Sequence, residues 1–333
     1  MRRPLALAAA LASTAIGAGC TVPDIVSGRA AERRPYLATD SMGVVPATAV
    51  AIRLQARPEL VENSAATLSL TQPGVFFAIN DSGNEPLLFA FDSTGADRGM
   101  WRVAGAANLD WEAASAGPCA APAADTAKRA CVYIGDVGDN EAERPTRAIY
   151  KVTEPAAQRA GFVGSVNPAA LAYRYADGPR DVEAMYVAPN ADTYLITKRR
   201  LRDPSGQRRP ALVYRLPASA WPSDTLVVAT LVDSLPIIPG SAPMRQITDA
   251  ALSPDGRHLA VRTYAQAYIF ATDSVTGRVN HAIPPSVCNI VAFDRWPGEG
   301  VAWFGRSGRL LLTSEGRESP LISIQCPLPS GTE

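Results

Sequence analysis

Residues 108–155 read NLDWEAASAGPCAAPAADTAKRACVYIGDVGDNEAERPTRAIYKVTEP. Apolar alternation divides this stretch into three strands: an inner one carrying Asp110 and Glu112, a second around 132–134 and a third around 148–152. The same order returns in weaker form. RDVEAMY (180–186) leads to TYLITKRR and ALVYRL, QITDAAL (246–252) to HLAVRTY and QAYIF, and GEGVAW (298–303) to RLLLTSEG and PLISIQ. Ahead of them, ENSAATL (62–68) leads to GVFFAINDSGN and LLFAFD. A unit of short alternating strands recurring every roughly fifty to seventy residues marks a β-propeller. The expected fold is all-β, a single propeller over 47–328.

Each triplet needs a fourth, outer strand. Candidates are 99–104, 169–175, 226–231 and 289–293, one short of the number required. The alternating segment AVAIRL at 49–54 supplies the last by pairing with 320–325. The reading is five four-stranded blades with the N-terminal strand closing the final blade. A sixth blade within 157–179 or 219–243 is the alternative.

The charge is balanced, with 32 Lys+Arg against 32 Asp+Glu, which excludes a basic nucleic-acid footprint. At the N-terminus a basic Met1–Arg3, an apolar Ala-rich run and Gly17-Ala18-Gly19 precede Cys20. This is an export signal over 1–19. Small residues before a cysteine resemble the lipobox of bacterial lipoproteins, which implies lipidation of Cys20, with 20–46 as a tether and 329–333 as a tail. Gly17 stands where that family prefers Leu, and a plain signal peptide is the alternative. The protein is expected in the cell envelope, anchored to a membrane by lipid, or else periplasmic or secreted.

Four further cysteines form an even set suited to an oxidising compartment. Cys119 and Cys131 flank a low-complexity insert between adjacent strands, so their pairing closes a hairpin loop, and Cys288–Cys326 follows by elimination.

Aligning the inner strands gives two columns near one mouth of the central channel. The first reads Glu62, Asp110, Asp181, Ile247 and Pro297; the second reads Ser64, Glu112, Glu183, Asp249 and Glu299. Converging carboxylates need a compensating cation. Asp110, Glu112, Asp181, Glu183, Asp249 and Glu299 are the expected ligands, and an all-oxygen set favours Ca²⁺ over Zn²⁺. Capping of backbone amides between blades is the competing role. The following turns place Asn80, Asp81, Asp136, Asp139, Asn140, Lys198, Arg199, Arg262 and Glu315 on the same face. Asn and Asp there serve turn geometry, whereas the cations either neutralise the carboxylates or orient an anionic ligand. His258 and His281 fall elsewhere, and no Ser-His-Asp, GxSxG or Walker pattern occurs.

NDSG before LLFAFDSTG, DWEA before YIGDVGDNEAERPTRAIYKVTEP, DVEAM before YLITK, and SPDGRHLAVRTY together resemble uncharacterised secreted bacterial propellers. More distantly they resemble the SdiA-regulated and esterase-like phytase propellers. That kinship implies calcium and phosphoesters on Asp110, Glu112, Asp181, Glu183, Asp249 and Glu299, while Ile247 and Pro297 depart from the acidic column. Two functions compete: a monomeric, cation-stabilised module binding a small molecule or protein, and a calcium-dependent phosphoesterase or lactonase on the same face.

Overall fold

The computed structural model describes residues 45–46, 48–54, 57–124, 127–198, 201–202, 208–237, 243–291, 298–305 and 307–330. The expected leader, Cys20, Arg199, Pro297 and the last three residues lie outside them, as does nearly all of the expected tether.

The architecture grows from five short strands rich in small residues: Asn63–Leu68, Trp111–Pro118, Val182–Val187, Ile247–Leu252 and Gly298–Trp303. Each begins an antiparallel run outward. Asn63–Leu68 is followed by Val75–Asn80, Leu87–Asp92 and Asp97–Val103, to whose edge Val163–Val166 adds in parallel. Trp111–Pro118 continues through Ala130–Asp136 and Arg147–Thr153 to Ala169–Tyr175. Val182–Val187 continues through Thr193–Thr197 and Ala211–Leu216 to Val227–Leu235. The last two runs share one eight-stranded sheet, because Tyr173–Tyr175 pairs in parallel with Val227–Ala229. Ile247–Leu252 leads through His258–Thr263 and Gln266–Ala271 to Ser286–Asn289, beside which Val45–Pro46 lies in parallel. Gly298–Trp303 pairs with Arg309–Ser314, then Pro320–Gln325, then Thr48–Leu54. The two stretches weighed as a sixth blade are thus occupied by strands that extend neighbouring sheets.

The inner strands pack side by side in chain order, and the last returns to the first. This is the arrangement of a β-propeller. Alanine is frequent near the axis because the space between sheets narrows there. Ala65, Ala66, Ala113, Ala114, Ala184, Ala250 and Ala302 are all buried on inner strands. Farther out the gap widens and aromatic rings fill it. Phe77 and Trp101 sit between the first and second sheets, Tyr133 and Tyr214 between the second and third runs, and Tyr186 and Phe270 between the third and fourth. Trp303 packs with Ile269 between the fourth and fifth, and Leu311 and Leu321 of the fifth pack on Phe76 and Phe89 of the first. Burying each such large side chain contributes about 2–3 kcal/mol, so the core is a series of wedges rather than one centre.

Both expected disulfides form. Cys119–Cys131 closes the hairpin loop, and Cys288–Cys326 ties the outer strand of the fourth sheet to the fifth. In the chain-entropy account loops of 12 and 38 residues contribute about 3 and about 4 kcal/mol. Two disulfides suggest an oxidising environment. Among the described residues no helix is long and apolar enough to cross a membrane.

Candidate metal centre at one end of the inner strands

Near its start every inner strand breaks register with its neighbour: between Asn63 and Ala65, Trp111 and Ala113, Val182 and Ala184, Ile247 and Asp249, and Gly298 and Val301. A bulge inserts an unpaired residue and re-aims its side chain. The residues in these gaps include Ser64, Glu112, Glu183, Thr248 and Glu299, all buried. Three glutamates therefore converge with two hydroxyls. Ser64 Oγ donates to Glu112 Oε2 at 2.7 Å, and Thr248 Oγ1 donates to the Glu299 carbonyl at 2.9 Å.

The fourth strand departs from the alignment made on sequence. Its gap holds Thr248, so Asp249, expected to ligate a cation, falls one place later and opposite Arg262. A slip of one residue turns a side chain to the other face. Asp249 accepts the Ala250 and Val301 N–H groups at 2.8 Å each, and it is fully buried. Arg262 is buried with it, and its Nη1 donates to the carbonyls of Gly300 and Thr313. This pair ties the fourth inner strand to the fifth. It is absent from the carboxylate cluster at the mouth.

That cluster is Asp81, Asp110 and Glu112, whose carboxylate oxygens lie within 4.8 Å of one another. Asp110 and Glu112 come from the start of one inner strand, and Asp81 from the turn after Val75–Asn80. Asn108 joins the two: its amide donates to the carbonyls of Asn80 (3.1 Å) and Asp81 (2.7 Å) while its Oδ1 accepts the Trp111 N–H (3.0 Å). Gly138 lies against the cluster, its N–H on the Asp110 carbonyl at 3.2 Å. A Cβ at Gly138 would stand 2.6 Å from Asp110 Oδ2 and 2.7 Å from Glu112 Cγ. Only a glycine leaves room for both carboxylates.

Glu183 accepts from Lys198 Nζ, an ion pair buried on the glutamate side. Glu299 Oε1 accepts the Tyr264 hydroxyl at 2.8 Å, whereas its Oε2 is buried without a hydrogen-bond partner among the described residues. Burial, then Asp81, push the Asp110 carboxyl up to about 6. Burial, then Glu183 and Asp81, hold Glu112 well above the usual carboxylate range. Asp81, Glu183 and Glu299 are raised mainly by burial. Burial, then Glu299, bring Glu315 to about 7. Burial opposes the Lys198 ammonium, but Glu183 and Glu112 together outweigh it and keep it protonated. The mouth carries more carboxylate than one lysine can balance. Oxygen donors at this spacing, with no thiolate or imidazole among them, fit a hard divalent cation such as Ca²⁺.

The remaining sequence candidates serve the scaffold. Asn80 accepts the Glu62 N–H and donates to the Glu59 carbonyl. Asp136 accepts the Asp110 N–H at 3.0 Å and pairs with Arg144 at 2.7 Å. Asp139 takes the Arg144 N–H and the Arg147 guanidinium, and its own N–H donates to Asp181. Asn140 is exposed on the adjoining loop. In the sequence Asp81 and Tyr264 stand among the turn residues of the same face, and nothing there marks Gly138. The signal for Asp81 was its Asn-Asp-Ser-Gly-Asn turn, directly ahead of an acidic inner strand.

No family model matches the sequence and no curated protein is similar to it. The resemblance to SdiA-regulated and phytase-like propellers therefore rests on the quoted motifs alone. Solved structures similar to the chain are propeller proteins. The PQQ-bound aldose sugar dehydrogenase from Streptomyces coelicolor is 10% identical, with 84% of this chain and 98% of that one covered and a TM-score of 0.44. A gluconolactonase from Xanthomonas campestris is 16% identical over 91% of this chain and 90% of that one, TM-score 0.36. The β-propeller domain of Swd1 from Myceliophteria thermophila is 9% identical over 79% and 96%, TM-score 0.37.

Proposed function

We propose that this is an exported five-bladed propeller, closed by Thr48–Leu54 on Pro320–Gln325. It holds Ca²⁺ on Asp81, Asp110 and Glu112 and binds a small, oxygen-rich ligand at that mouth. The observation that carries the reading is the cluster of three carboxylates within 4.8 Å of one another, packed on a glycine that leaves them room. The unpartnered, buried Glu299 Oε2 in the same bulge series supports it. Lys198, an ammonium with three N–H donors of which Glu183 takes one, is felt by Glu112 and Asp81 of the cluster and is the donor for ligand oxygens. The basic and apolar N-terminal run ahead of Cys20 and the two disulfides support the further reading of a monomer in the cell envelope on a lipid anchor.

Hydrolysis of a phosphoester or lactone at this mouth is the second reading. Glu315 favours it, since a carboxyl at about 7 can take a proton from water and return it to a leaving oxygen near neutral pH. A divalent cation there supplies polarisation of a substrate oxygen. Lys198 keeps a fixed positive charge nearby, and Ser64 holds Glu112 in place.

The test is twofold. Calorimetric titration of chelated protein with Ca²⁺ should show saturable binding that Asp110→Asn removes; no heat in the parent overturns the cation site. Screening phosphomonoesters and lactones with and without Ca²⁺ then separates the readings. Turnover abolished by Glu315→Gln, with Ca²⁺ affinity unchanged, selects the enzyme.

A further inference from the structure

His258 is a titratable residue that the acidic mouth does not use. It opens the strand His258–Thr263, at the end of the fourth sheet away from the mouth, and it is only 4% exposed. Its backbone is fixed, for the N–H donates to Ser253 Oγ at 3.0 Å and the carbonyl accepts the Ser253 N–H at 2.7 Å. The ring is held differently. Neither nitrogen has a hydrogen-bond partner among the described residues. The imidazole lies against the indole of Trp303, with centroids 6.0 Å apart and planes tilted by 42°. Trp303 ends the inner strand of the fifth sheet, so the contact crosses the seam between the fourth and fifth sheets. Trp303 Nε1 itself donates to the Ala251 carbonyl at 2.8 Å. Trp303 shares this seam with Ile269, Leu310 and the Cys288–Cys326 disulfide.

We propose that His258 makes the seam between the fourth and fifth sheets labile to acid. Neutral, the ring packs on Trp303; protonated, it leaves for water and the seam opens from that end. An imidazolium carries two N–H donors and a charge, and burying such a group is costly unless acceptors meet it. Two charged groups act on the ring, Asp255 in favour of the proton and Arg257 against it, both from the turn ahead of the strand. The fifth sheet meets it with the uncharged Trp303 ring. The Asp255 carboxylate already accepts Ser253 Oγ at 2.6 Å and the Arg257 N–H at 3.1 Å. Burial outweighs Asp255 and holds the imidazole below its ordinary value of 6.5. The released side chain therefore takes a proton more readily than the folded one. Its contribution to stability is full above about 6.5 and is lost as pH falls below that value. The mouth carboxyls run the opposite way, since burial raises them, so a global melting curve mixes the two trends. Cys288 and Cys326, 1% and 0% exposed, supply a local readout, because a reductant reaches them once the seam opens.

Reduction of the full chain by tris(carboxyethyl)phosphine at pH 7.5 and pH 5, in chelator, tests the device. Released thiols are trapped with a maleimide and located by peptide mass. The rate at Cys288–Cys326 is taken relative to that at Cys119–Cys131, which lies in the second run and serves as the internal control. That ratio should rise at least about tenfold on acidification, the gain for an imidazole protonated when released and neutral when buried. His258→Phe and His258→Gln both remove the titration, and each should hold the rise below about twofold. The second variant covers the case in which the larger ring is not accommodated. The chain has two histidines, so the His258 ring proton can also be followed by NMR in the parent, assigned with His281→Ala. A ratio that does not rise in the parent, or a rise that survives in a folded His258 variant, overturns the proposal. So does a His258 resonance titrating at or above 6.5, whatever the variants do.

Discussion

Proton and cation compete for Asp110, so calcium should stabilise the protein far more at pH 8 than at pH 5. A ligand present at about a hundred times its Kd adds about 2.7 kcal/mol to the folded state. For a domain of this length that corresponds to about 5 °C in Tm. In the cation-free protein the Asp110 carboxyl titrates at about 6, because burial and the nearby Asp81 disfavour its charge. At pH 5 roughly a tenth of it is ionised, so the apparent Kd weakens about tenfold and the increment at the same Ca²⁺ falls to about 1.4 kcal/mol, about 3 °C. Asp81 and Glu112 are raised as well, which deepens the loss. The chelated protein moves the other way. A carboxyl whose folded pKa exceeds its unfolded one contributes stability fully below about 3.8, and that contribution disappears as pH rises through about 6. Asp110→Asn should therefore raise the Tm of chelated protein at pH 8 while abolishing the calcium increment. Scanning fluorimetry at the two pH values, with chelator or Ca²⁺, measures all four quantities. A calcium increment equal at pH 5 and pH 8, or none at pH 8, would refute the reasoning.

Further expectations concern the frame around the site. Asp249→Ala should destabilise by about 3–5 kcal/mol, since it orphans two buried amides and removes the carboxylate opposite the buried Arg262, yet the Ca²⁺ affinity of whatever folds should be unchanged. Denaturant melts read the first and calorimetry the second; a lost cation site with unchanged stability would restore Asp249 as a ligand. Gly138→Ala should weaken Ca²⁺ at least about tenfold, because its Cβ displaces Asp110 and Glu112, and unaltered affinity would remove the glycine from the site. Deleting residues 45–56 should abolish the single cooperative unfolding transition, as Pro320–Gln325 then becomes an open edge. Denatured but unreduced protein should show no free thiol among Cys119, Cys131, Cys288 and Cys326.

The strand starts, the outward order of strands and both disulfide pairings could be read from the chain, because alternation and cysteine spacing are local properties. What failed was local in appearance and non-local in cause. Glu183 and Asp249 sit alike in DVEAM and ITDAA, yet only the partner strand decides which residue of each triplet bulges, and in the fourth strand it selects Thr248. Lys198 and Arg262 both stand near the ends of apolar strands. Lys198 follows Thr197, the last residue of its strand, and reaches Glu183, whereas Arg262 lies within its strand, opposite Asp249, and is drawn under the backbone. Asp81 belongs to a different sheet from Asp110, so no periodicity within either repeat could announce that they meet.

The hydrogen bonds between Thr48–Leu54 and Pro320–Gln325 join segments from opposite ends of the chain. No partial product of synthesis can make them. Until the final strand emerges, the first inner strand lacks its neighbour from the last sheet, and Phe76 and Phe89 have no Leu311 or Leu321 to pack on. Contacts this distant in sequence carry a large closure entropy and form slowly. The pairing of these two segments, and the packing of the first sheet on the last, therefore wait for the last strand, whereas the hairpins within each earlier run need only neighbouring sequence.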